Sequence, residues 1–116
     1  MKNNNKEVST ATKECPFRQT LDTLEGKWKF AIIYELMKKD KYRFKELERQ
    51  VEGITSRMLI KELKALEKSD IITREQFATI PPKVEYALTE HGASLQPIMA
   101  VMTEWGKKHL ERKKKN

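Results

Sequence analysis

Four cations recur at helical spacing in one short stretch: Arg57, Lys61, Lys64 and Lys68, at i, i+4, i+7 and i+11. At about 100° per residue they fall on one side of a helix. Leu59, Leu63 and Leu66 fall on the other side, with Glu62 beside them and Glu67 on a flank. A cationic row of roughly 17 Å suits the phosphates of a nucleic-acid backbone. Thr55, Ser56, Arg57, Ile60 and Lys61 lie at the helix start, where side chains can meet base edges. The same pattern would also serve as the solvated face of an ordinary amphipathic helix, so the neighbouring elements have to decide.

Further cations sit on both sides of this helix. Arg43 opens the preceding short helix, flanked by Lys41 and Lys45, and a cationic helix start can clamp a phosphate. Lys64 adds a backbone contact from the stripe itself, and Arg74 and Lys83 lie on the two strands that follow. Cys15 precedes Pro16 at a helix start, between Lys13 and Arg18. That setting favours the thiolate, so Cys15 is a candidate redox or electrophile sensor. As the only cysteine it cannot form an internal disulfide, and it could equally be a small buried hydrophobe. His91 and His109 stand eighteen apart without ligand-spaced Cys or carboxylate, and no HExxH, CxxC or phosphate loop occurs. Neither an enzyme nor a bound metal or cofactor is expected.

The chain has 116 residues, enough for one domain with a modest core. Net charge is +7, but residues 107–116 hold +5 of it. Basicity of the whole chain therefore says little, and the local stripe carries the argument. The longest apolar run, Phe30–Tyr34, is far too short to span a bilayer, which takes about 20 residues. The first fourteen residues lack a signal core, and the expected location is the cytoplasm, away from membranes.

The elements that must position these residues follow from periodicity. Residues 1–14 read as a flexible leader. Pro16 opens a first helix carrying Phe17, Leu21 and Leu24, and Gly26 ends it. Residues 28–39 form a helix apolar nearly all round, followed by a polar break at 38–41. Residues 43–51 make a short third helix, Gly53 a turn, and Thr55 or Ser56 caps the helix that runs to about Lys68. Alternating segments on either side of Pro81-Pro82 read as a hairpin without a tight two-residue turn. Thr89 caps a last helix, with a kink or separate first turn expected near Gly92–Leu95 because Pro97 lies inside it. Its Leu95, Ile98, Met99, Met102 and Trp105, with Phe17 and Leu21, are wider than one small core needs and read as a dimer seam. The alternative is docking on the chain's own domain. The fold class expected is α+β, mainly α. It is a winged helix-turn-helix with a two-stranded β-wing and N- and C-terminal dimerisation helices. Residues 15–107 form the domain and 108–116 a basic tail.

These motifs resemble the HxlR family of bacterial transcription regulators. The resemblance is carried by Cys15-Pro16, Gly26-Lys27-Trp28, Arg43-Phe44-x-Glu46-Leu47, Gly53-Ile54-x-Ser56-Arg57-Met58-Leu59, Leu63-Lys64-x-Leu66-Glu67, Pro81-Pro82-x-Val84-Glu85-Tyr86-x-Leu88-Thr89 and Trp105-Gly106. It spans about residues 15–107. It implies a MarR-like fold and a homodimer built from the first and last helices. It also implies a palindromic operator in double-stranded DNA, with helix 55–68 in the major groove and the wing at 76–83 beside the minor groove. Family members often sense oxidants, electrophiles or aldehydes at the position matched by Cys15, so a small-molecule or electrophile effector is implied. Asp70 stands where the family usually has glycine. Function is read as sequence-specific DNA-binding regulation, with repression the expected sign. The rival is a winged-helix module that binds protein and not DNA.

Overall fold

A computed structural model describes residues 15–115; the expected leader, 1–14, lies outside the described residues. The elements in order are α1 (Pro16–Leu24), α2 (Lys29–Leu36), α3 (Phe44–Gln50), α4 (Ser56–Lys68), β1 (Ile72–Phe77), β2 (Lys83–Leu88), α5 (Glu90–Ala93) and α6 (Gln96–Lys115). Pro16 holds the first helical position of α1, where a missing N–H costs nothing. Only Leu24 of that helix is buried. α2 is the central helix: Ile32, Ile33 and Leu36 are buried together with Glu35. It stops at Leu36, three residues short of the expected end, because Lys38 to Asp40 form the polar turn.

β1 and β2 pair antiparallel, with Ile72 opposite Leu88 and Phe77 opposite Lys83. Residues 78–82 form the tip, where the Ile80–Pro81 peptide is cis and Ile80 is fully exposed. Tyr42 adds a third, one-residue strand. It exchanges backbone hydrogen bonds of 2.9 and 2.8 Å with Tyr86. Its hydroxyl donates to Glu35 Oε2 at 3.0 Å, so one side chain fixes the hairpin to α2. Burial, and then the Glu35 carboxylate, push the Tyr42 hydroxyl pKa up to about 12.

α4 ends in a left-handed turn. Asp70 has φ of 62°, the Ile71 N–H bonds to Leu66 O at 2.9 Å and the Asp70 N–H to Glu67 O at 3.0 Å. This helix-ending motif normally uses glycine, and aspartate is among the few side chains that tolerate it. Asp70, where the resemblance leads one to expect glycine, thus keeps the turn. From there Thr89 ties the next corner: its hydroxyl donates to Asp70 O at 2.7 Å and accepts from the Gly92 N–H at 2.9 Å. A Cβ on Gly92 would lie 2.1 Å from the Ile71 carbonyl oxygen, so only glycine lets α5 approach this closely. The last helical region is divided as the sequence suggests, into α5 and α6, and Pro97 falls in the first turn of α6, where it does no harm.

The core joins Ile32, Ile33 and Leu36 to Leu47, Leu59, Leu63, Leu66, Ile71, Ile72 and Met99. α6 continues to Lys115, so the basic run beginning at 108 forms its last turns. Lysine and arginine favour helix and complement the negative end of the helix dipole.

Candidate nucleic-acid interface

α3, the turn at Gly53 and α4 make the helix-turn-helix. Gly53 has φ of 89°, and Val51 and Ile54 on either side are buried, which pins the turn to the core. α4 buries Leu59, Leu63, Leu66 and also Glu62. The Glu62 carboxylate meets Lys29 Nζ at 2.8 Å in a nearly buried ion pair. Lys29 also reaches the Glu25 carbonyl at 3.4 Å, so this pair sets α4 against the start of α2 and the end of α1. With its inner face fixed, α4 turns Arg57, Lys61, Lys64 and Lys68 outward, all exposed. None of the four is in an ion pair with another described residue. Their full charge is left for an outside anion.

The other sequence-selected cations fare differently. Arg74 lies on β1 opposite Tyr86 and is exposed. With Ile60, Lys64 and Glu67 it borders an open groove of about 510 Å³ between α4 and the wing, floored by Phe44, Leu63, Val84 and Tyr86. Lys83 is engaged within the chain, 3.8 Å from Glu85 and 4.7 Å from the centre of the Phe77 ring. Arg43 is exposed at the N-cap of α3, but its N–H is already taken by Glu46 at 2.7 Å. Lys39, 2.8 Å from the same carboxylate, and then the Arg43 N–H hold the Glu46 carboxyl below its usual range. The start of α3 therefore already has its anion, and Arg43 offers a side chain only. Thr55 acts as the N-cap of α4, accepting from the Met58 N–H at 3.2 Å, and Ser56 donates to Glu48 of α3. Neither Glu48 nor Lys29 stands out in the sequence, because each matters through a residue on another helix.

The seam residues divide as well. Phe17, Leu21, Ile98, Met102 and Trp105 are exposed, Trp105 at 65%. Met99 is buried in the protomer's own core, and Leu95 packs partly against it. Val101, 69% exposed, and Leu110 extend the outer face. Trp105 stacks on His109 at 4.9 Å. Cys15 is a half-buried free thiol at the N-cap of α1. The backbone N–H of Arg18, then that of Phe17, lowers its pKa, and the Arg18 charge adds to this.

Residues 23–114 match the sequence profile described as HxlR-like helix-turn-helix. The chain belongs to this family. Its members here include YdeP, an HTH-type transcriptional regulator of Bacillus subtilis, 44% identical over 98 residues that cover 84% of this chain and 76% of YdeP. The redox regulator HypR in its reduced form superposes with a TM-score of 0.80 at 41% identity, covering 88% of this chain and all of the HypR chain. Its oxidised form gives 0.74 at 46% identity over 81% and 96% of the two chains. The winged helix-turn-helix expected from the motifs is thus the fold, and this HxlR-like protein is a DNA-binding transcriptional regulator. Its family consists of regulators and not of enzymes. No helix among the described residues is long and apolar enough to cross a membrane.

Proposed function

We propose that this protein works in the cytoplasm as a homodimer that represses from a palindromic operator and responds to oxidants or electrophiles at Cys15. The supporting observation is the pairing of two unsatisfied surfaces. α4 offers to DNA cations that have no ion pair among the described residues, while α1 and α6 offer an exposed apolar face to a second copy. Two copies would set two α4 helices about one helical turn of DNA apart, on successive major grooves. Arg57, Ile60 and Lys61 read or border bases; Arg43, Lys64 and Arg74 bind phosphates. Thr55 and Ser56 lie at the same helix start, and Lys83 supports the wing beside the minor groove.

Cys15 heads α1, one half of that seam. A thiolate there adds to an electrophile as a thioether. Under diamide, two thiols join as a disulfide and their two hydrogens reduce the diazene to a hydrazine. With one thiol per chain, that disulfide joins Cys15 to another molecule. Either product alters the seam and so the spacing of the two reading helices. HypR, named a redox regulator, supports this reading.

The test is a mobility shift of the full chain on its upstream DNA, across salt, with and without diamide. A discrete complex should depend on Arg57 and dissociate with diamide in wild type, while Cys15→Ser keeps it. Equal release of Cys15→Ser would overturn the sensing role. Diffuse binding that ignores Arg57→Ala would favour a protein-binding module.

A further inference from the structure

Ser56 is the first residue of α4, and its hydroxyl is not needed to cap the helix, since Thr55 already accepts from the Met58 N–H. Instead the Ser56 hydroxyl donates to Oε2 of Glu48, in the last turn of α3. The other carboxylate oxygen of Glu48 lies 3.4 Å from Lys45 Nζ. The Ser56 hydrogen bond comes first, and the Lys45 charge adds to it. Together they outweigh partial burial and hold the Glu48 carboxyl below its ordinary range. An ionised carboxylate only accepts hydrogen bonds, so the direction of this one is fixed. The Ser56 hydrogen is committed to Glu48, and the oxygen's lone pairs remain for a partner outside the chain. Ser56 is exposed, next to Arg57 and one turn from Ile60.

In the major groove adenine and cytosine present amino hydrogens, whereas guanine and thymine present acceptor oxygens on the equivalent edge. A free serine hydroxyl can serve either kind. A serine whose hydrogen is held by a carboxylate can serve only the first, and the negative charge behind it disfavours the second. We propose that Glu48 is a positioning residue that sets base preference. Through Ser56 it selects adenine or cytosine over guanine or thymine at one position of each half-site. This rests on the reading that the first turns of α4 meet base edges.

The experiment is selection from a randomised duplex pool by the full-length protein and its Glu48→Gln, Glu48→Ala, Ser56→Ala and Arg57→Ala variants. Wild type should favour adenine or cytosine at one position by about tenfold, the scale of one good hydrogen bond. Ser56→Ala and Glu48→Ala should lose the preference there and keep the rest of the consensus. Glu48→Gln, nearly the same shape, should shift that position towards guanine or thymine, because its amide donates to the Ser56 oxygen and frees the hydroxyl hydrogen. Glu48 variants that select the wild-type consensus, or that weaken all sequences alike, would overturn the proposal. An unchanged consensus with Arg57→Ala would instead show that α4 does not read the bases.

Discussion

α4 and α6 are both amphipathic, yet they are completed in opposite ways. α4 spends its apolar face inside the chain's own core, on Leu59, Leu63 and Leu66, and leaves its cations without ion-pair partners among the described residues. α6 is 20 residues long, about 30 Å, and buries only Met99. Its Ile98, Val101, Met102 and Trp105 remain exposed. One helix lacks counter-ions and the other lacks an apolar cover. The difference suits a polyanion on the first and, under the proposed function, a second copy of the chain on the second.

The largest effect should come from cutting into the satisfied apolar face. Leu63→Ala should cost about 2–5 kcal/mol of stability by opening a cavity. Val101→Ala, on the exposed face of α6, should leave the melting point of dilute protein nearly unchanged. Denaturant titrations of both at low concentration check this. A costly Val101→Ala in the monomer would erase the contrast.

Next comes the polar contact inside the same face. Lys29→Met leaves Glu62 without its ion-pair partner in a nearly buried site, and should cost about 3 kcal/mol. Joint replacement, Lys29→Met with Glu62→Met, should recover most of it. If the single change costs nothing, the pair does not hold α4 in place.

Arg57→Ala should act on the outer face alone. DNA affinity should fall by about 1–3 kcal/mol with the melting point unchanged. Calorimetric melting beside a DNA titration separates the two effects. A large loss of stability would mean that Arg57 is structural after all.

The smallest effect is at the exit from α4. Asp70→Val should lose about 1 kcal/mol, because a β-branched residue resists the left-handed turn, and Asp70→Gly should change stability by less than about 0.5 kcal/mol. Thermal melts of the pair, with Asp70 as reference, check the order.

These regions were not equally legible in the sequence. The cationic stripe of α4 was, because one helix and one period decide it. So were a cap at Thr55 or Ser56, which the structure gives to Thr55, the break before Pro97 and the hairpin on either side of Pro81-Pro82. The Tyr42 strand was not: one residue makes it, and its partner Tyr86 lies on another element. Met99 illustrates a second limit. Steps of three and four describe a dimer seam and a core stripe equally well, and only the packing shows that this residue faces inward. Lys83 has a third cause. A cation on a strand reads as free until the register sets it opposite Phe77, where Glu85, two residues along the same strand, also reaches it.

The central claim is that the protomer is incomplete in two places and that both are filled when it binds DNA. The most direct measurement is the mass of the complex on one operator duplex, by light scattering, for wild type and for Met102→Glu with Trp105→Glu. The account predicts two wild-type chains per duplex. The double variant should keep the fold's circular dichroism, run as a monomer and bind at least ten times more weakly. A double variant that still dimerises, or a single chain that binds the operator as tightly as wild type, would contradict it.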